Sequence, residues 1–203
     1  MKILALSDQV MEIIYSRSIV QNFPDVELIV GCGDLPADYL EFVVSMLNVP
    51  LIYVPGNHDM DDFHIPGGQS IDGKIINING LRSMGLGGSR RYKPNGKHQY
   101  TEAEMRFHVW KLLVLASMSK IISRKGIDLF ISHAPPYGVH DASDLAHTGF
   151  TTFHQLLSLV KPRIMLHGHC HSLRNLKCAE TILYETKVIN VYPYRLIDLE
   201  MYT

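Results

Sequence analysis

Cysteine is scarce in this sequence: three residues, Cys32, Cys170 and Cys178, an odd number without framework spacing. That argues against a disulfide-built scaffold and for reduced thiols in a cytoplasmic setting. Long hydrophobic runs are missing as well. No segment approaches the ~20 apolar residues that span a bilayer, and the apolar run in Met1-Lys2-Ile3-Leu4-Ala5-Leu6-Ser7-Asp8 is too short for a signal peptide, so no membrane association is expected. Neither charge sign dominates, with 19 lysines and arginines against 20 aspartates and glutamates. Such a balance provides no global field to recruit nucleic acid, anionic membrane or a strongly charged partner. Internal repeats, low-complexity tracts and linkers are absent too, and 203 residues at 46% hydrophobic predict one core and a single domain over 1–203. What the chain has in excess is histidine: there are eleven, unevenly placed.

Short apolar strands alternate with helical segments. Residues 2–7 read as a buried strand, 12–21 as a helix closed by Asn22-Phe23-Pro24-Asp25, and 27–31 as a second strand stopping at Gly31-Cys32-Gly33-Asp34. A helix with proline in its first turn follows at 36–47, then a strand at 51–54. Between the short strands 74–78 and 81–86, Asn79-Gly80 predicts a hairpin. Thr101 and Glu104 are spaced as a capping box at the head of the longest helix, 101–124, with Gly126 as its stop. A strand at 128–132, a helix at 151–160 and a strand at 163–167 resume the alternation, and three apolar runs, 181–184, 187–191 and 196–199, close the chain. The pattern predicts an α/β fold with a mostly parallel sheet, whose ligands gather at the carboxyl ends of strands.

Those ends carry the chemistry. Asp8 ends the first strand, Asp34 the second and Gly56-Asn57-His58-Asp59 the third, while His133 ends the 128–132 strand and His167-Gly168-His169-Cys170-His171 the 163–167 strand. Carboxylate, imidazole and amide oxygen together suit a first-row divalent ion such as Mn, Fe, Ni or Zn, whereas magnesium or calcium would prefer oxygen alone. Any one of these histidines, taken alone, is better read as a satisfied core residue or a cap. The set is not, because so many independent coincidences at strand ends are too many, and hydrolysis is the chemistry such a site suits.

In order and spacing, Asp8, Gly33-Asp34, Gly56-Asn57-His58-Asp59, His133 and Gly168-His169-Cys170-His171 resemble the calcineurin-like metallophosphoesterases, over most of the chain from Asp8 to His171. The segment 85–89 and the tail from Val188 resemble small bacterial members. The resemblance implies two face-packed mixed β-sheets flanked by helices, a four-layer α/β/β/α sandwich, with one or two divalent transition metals. It implies Asp34 as the bridge between two ions, Asn57, His133 and His169 completing one position, and Asp8 and His171 belonging to the other. His58 would act as general acid or charge stabiliser with Asp59 holding its ring, and metal-activated water would attack phosphorus in line. The chain departs from the family at the first motif, usually Asp-x-His: Asp8-Gln9-Val10 puts an apolar side chain at the histidine position. One firm ion and one weak or exchangeable ion are therefore expected, with Gln9 or water as the stand-in.

The surrounding strings are less specific. Residues 140–149 read equally well as a solvated loop or as a rim contacting substrate, with His147 as the contact. Arg90, Arg91, Lys93 and Lys97 read as a solvated basic stretch; a functional member would neutralise substrate phosphate, and Arg90 is the candidate. Cys32 and Cys170 read as packing residues, and His167 as support behind the ligands. Two functions of different classes follow. One is a metal-dependent phosphoesterase, diesters over monoesters, acting on a small phosphorylated substrate such as a nucleotide-derived one. The other is a degenerate member that binds metal or a phosphorylated ligand with little turnover, in a regulatory or scaffolding role. A nuclease ranks lower for want of an extended basic surface. Apolar positions in the helix after Thr101 leave a homodimer open.

Overall fold

The computed structural model describes residues 1–60, 64–123, 125–171 and 180–202; the thiol expected at Cys178 and the last residue of the 101–124 helix lie outside them. Five strands form the first sheet: β1 (Lys2–Leu6), β2 (Val26–Gly31), β3 (Leu51–Tyr53), β4 (Gly68–Ser70) and β13 (Tyr194–Asp198). Their order is β13-β1-β2-β3-β4, and only β13 is antiparallel to its neighbour. The second sheet contains β5 (Ile75–Ile78), β6 (Leu81–Leu86), β9 (Leu129–Ser132), β10 (Ile164–His167), β11 (Glu180–Leu183) and β12 (Thr186–Asn190). It runs β11-β12-β10-β9-β6-β5, with a parallel centre and an antiparallel hairpin at each edge. A short ribbon, β7 (Ser89–Arg90) and β8 (Gln99–Tyr100), stands apart from both.

Period-two alternation explains the layers. Ile3 and Ala5 of β1 and Leu28 and Val30 of β2 meet Leu129, Ile131, Ile164 and Leu166 of β9 and β10 in one buried cluster between the sheets. Their alternates face helices. Leu4, Leu6 and Ile29 pack under α2 (Ala37–Leu47) through Tyr39, Leu40 and Val43. Phe130, Met165 and Val188 pack under α3 (Glu102–Ser123) and α4 (Thr152–Val160) through Met105, Val109, Leu112, Phe153, Leu156 and Leu157. Strands covered on both faces read as unbroken apolar runs, as these do. The result is the helix, sheet, sheet, helix sandwich. Each fully buried aliphatic side chain contributes roughly 1.5–3 kcal/mol relative to exposure, and this double core holds the strand ends in register.

The Asn79-Gly80 hairpin forms as expected, both residues in the left-handed region at φ 50° and 87° and Ile78 facing Leu81. So does the capping box, in which Thr101 donates its N–H and hydroxyl to Glu104 Oε2 at 2.7 and 2.9 Å. The helix expected at 12–21 is corrected: a single turn closes at Met11–Tyr15, and only α1 (Ile19–Asn22) is helical. Ser16 breaks it by bonding Ile13 O and the Ser18 hydroxyl, since serine competes with the helix for backbone groups. Among the described residues no helix is long and apolar enough to cross a membrane. The apolar positions of α3 divide: Met105, Val109 and Leu112 are buried, while Phe107, Trp110, Val114 and Met118 are exposed.

Candidate metal centre

Asp8 lies just past β1, Asp34 past β2, Asn57 and His58 past β3, His133 past β9 and His169 past β10, so five parallel strands of two sheets end on one site. Asp8, Asp34 and His169 turn there with φ of 64°, 57° and 67°, a left-handed conformation that Asp and His tolerate better than branched residues. Close approach explains the glycines. A Cβ on Gly56 would collide with the Asp34 carboxylate, and one on Gly168 with the Ser7 hydroxyl.

The ligand atoms of Asp8, Asp34, His133 and His169 all lie within 4.8 Å of one another. Backbone carbonyls set both imidazoles. His133 is fully buried and donates Nδ1–H to Cys32 O at 2.7 Å, leaving Nε2 facing Asn57 Oδ1 at 3.0 Å and Asp34 Oδ2 at 3.3 Å. Asn57 is oriented in turn by donating Nδ2–H to the Tyr92 hydroxyl at 3.2 Å. His169 donates Nε2–H to Ala146 O at 2.7 Å, which places the lone pair on Nδ1, while its backbone N–H donates to Asp8 Oδ2 at 2.9 Å. Outer partners of this kind fix the tautomer of a metal-binding histidine.

Charge follows the same geometry. Burial alone would push the Asp34 carboxyl up, but facing His133 overrides it and holds Asp34 at about 2. Burial would likewise strip His133 of its proton, yet Asp34 and then Asp8 raise it to about 9. His169, lowered first by burial and then by the His133 charge, falls to about 3. Two buried carboxylates that stabilise a positive charge between them, with imidazole nitrogens beside them, fit a divalent transition metal.

The other expected residues are placed as follows. His171 Nε2 contacts Asp8 Oδ1 at 3.0 Å on the half-exposed side, and that hydrogen bond raises its pKa. The His58 ring is 70% exposed, with Nε2 4.0 Å from Asp34 Oδ2. Asp59 does not hold that ring, a correction to the expected role. Its Oδ2 instead accepts the N–H groups of Gly56 and Asp34 at 2.7 and 3.1 Å, because these turned backbones need a buried acceptor. Arg90 is likewise committed elsewhere: its guanidinium pairs with Glu102 and lies over the Phe150 ring at 5.7 Å. Val10 is 39% exposed and supplies no donor. Gln9 Oε1 accepts the Tyr192 hydroxyl at 2.7 Å, and Tyr192 stacks on His171 at 4.7 Å, so Gln9 acts as a strut.

His147 is brought to the cluster, its ring 4.9 Å from His169 and 6.1 Å from His171. His167 is buried and bonds His140 Nδ1 at 3.0 Å, with burial lowering it to about 3. Cys32 and Cys170 are buried free thiols. Sequence reasoning missed Tyr92, Tyr192 and Asp144. Tyr192 follows a strand end, the same position that singled out the ligands, and Asp144 stands three residues before His147; nothing local marks Tyr92.

Comparison with known proteins agrees with this geometry. The family model described as calcineurin-like phosphoesterase matches residues 1–173. The uncharacterized protein MJ1162 of Methanocaldococcus jannaschii is 27% identical over 194 residues, covering 86% of this chain and 81% of that protein. The crystal structure of TT1561 of Thermus thermophilus superposes with a TM-score of 0.69 at 17% identity, covering 100% of this chain and 96% of that one, and so shares the fold. With its strand-end ligand cluster inside the matched region, the chain belongs to the calcineurin-like phosphoesterase family, whose chemistry is metal-dependent hydrolysis of phosphoesters.

Proposed function

We propose that the protein hydrolyses small phosphodiesters in preference to monoesters, with His58 donating a proton to the leaving oxygen or stabilising charge on the phosphoryl group. The observation that carries this reading is the exposed His58 imidazole beside Asp34, at the open side of the ligand cluster. A ring so exposed does little for the fold, and histidine is the side chain that exchanges protons near neutral pH. Divalent ions held by Asp8, Asp34, Asn57, His133, His169 and His171 would supply Lewis-acid activation of water and of the phosphoryl oxygens. Asp59 and Asn57 position the turns and His133, and Tyr192 braces His171.

The diester preference is supported by charge. A monoester dianion asks for more positive charge than a diester, yet both arginines of the neighbouring basic stretch are engaged, Arg90 by Glu102 and Arg91 by Glu104, which leaves Lys93, over the Tyr92 ring, as its nearest cation to Asn57. A monoanionic diester needs less. The buried free thiols fit a reducing cytoplasm. With Mn²⁺ added, an aryl phosphodiester and a cyclic nucleotide should turn over faster than an aryl phosphomonoester; the reverse order would sink the diester reading. His58→Ala should lower kcat by about 10²–10⁴-fold with metal content unchanged.

The second reading, ligand binding with little turnover, is favoured by the donor-free side chain of Val10. On that reading no substrate of the panel exceeds the background of free metal, and His58→Ala changes nothing.

A further inference from the structure

Asp8 and His171, joined at 3.0 Å, form a pair poor in donors: Val10 brings none, and Gln9 is held by Tyr192. One more imidazole stands beside them. The ring of His147 lies 4.9 Å from that of His169 and 6.1 Å from that of His171, on a loop whose Ala146 carbonyl already orients His169. Two imidazoles bound to one ion through nitrogens at about 2.0–2.1 Å have centroids roughly 4.5–6.5 Å apart, depending on the angle between them. His133 and His169, at 4.7 Å, fall in the same range.

The loop holds His147 in a defined state. Asp144 Oδ1 accepts the N–H groups of Ala146 and His147, each at 3.1 Å, and faces His147 Nδ1 at 2.8 Å. A carboxylate acts only as an acceptor here, so the proton is on Nδ1 and the lone pair on Nε2. Among the described residues Nε2 has no hydrogen-bond partner. A carboxylate behind a histidine is the arrangement that orients a metal ligand and raises its basicity.

From this geometry we infer that His147 is a metal ligand, completing the Asp8 and His171 position from the loop side and replacing the nitrogen that Val10 lacks. The inference rests on the metal-dependent reading of the site and not on the choice of ester.

The test uses Mn²⁺ alone. Chelator-stripped protein is dialysed against graded Mn²⁺ and the bound ion counted by elemental analysis, with circular dichroism checking the fold. Wild type should take up two equivalents. Removing an outer partner costs about 10–100-fold in affinity, so Asp144→Asn should weaken the second equivalent by that factor and His147→Ala by more, with the first equivalent unchanged. Adding Val10→His to His147→Ala should restore the second. Wild-type affinity for both equivalents in His147→Ala would overturn the inference, as would a wild type that takes up one ion only, or a folded double variant in which Val10→His restores nothing. No substrate is present, so this failure is separable from failure of the diester reading, which the ester panel decides.

Discussion

His133, fully buried between Asp34 and Asp8, carries a proton in the metal-free protein to about pH 9. The sign of its effect on stability follows from linkage. A group raised in the folded state above its ordinary 6.5 stabilises fully below about pH 6.5 and loses that contribution as pH climbs through about 9. Asp34, held at about 2 against an ordinary 3.8, stabilises above about pH 4 and loses its contribution as pH falls toward 2. The chelator-treated protein should therefore show a thermal midpoint that declines from pH 7 to pH 9. On the acid side it should decline below about pH 6.5, where the unfolded chain takes up protons that His167 and His169, held at about 3, refuse, and further below pH 4 as Asp34 loses its charge. Melts across that range check it, and a midpoint still rising at pH 9 would mean that His133 is neutral in the folded state.

Glu102, the first residue of α3, ties three elements together. Its carboxylate accepts the N–H groups of Thr151 and Thr152 at 3.2 and 2.7 Å, at the start of α4, and pairs with Arg90 of β7. Thr151 makes no side-chain cap of its own, so Glu102→Ala should cost about 1–2 kcal/mol. The readout is a lower urea midpoint with an unchanged slope. Such long-range ties mark where the sequence stops being legible. The Asn79-Gly80 turn and the Thr101-Glu104 box were readable because their partners are local. The turn Tyr184-Glu185 has the same left-handed geometry, φ 50° and 74°, without the residues that signal it, and polar β4 forms only because β3 offers it an edge. The site divides in the same way. Glycine-flanked strand ends made the residue types visible, but Asp59 turning inward, Arg90 turning to Glu102 and Tyr192 bracing His171 depend on residues remote in sequence.

Across the whole molecule, neither sheet contains the site. Asp8, Asp34 and Asn57 follow strands of one sheet, His133 and His169 strands of the other, and the contacts from His133 to Cys32 O and from His169 N–H to Asp8 cross the seam. The apolar cluster that closes that seam is drawn from both sheets. A refolding chain with only one sheet paired thus has no complete ligand set to offer. Followed by stopped flow, Mn²⁺ capture should lag the far-ultraviolet signal of strand and helix formation; capture as early as that signal would show the ligands gathering before the sheets meet. The ion taken up by each chain then serves as a clock, stamping the moment at which two separately formed surfaces become a single body.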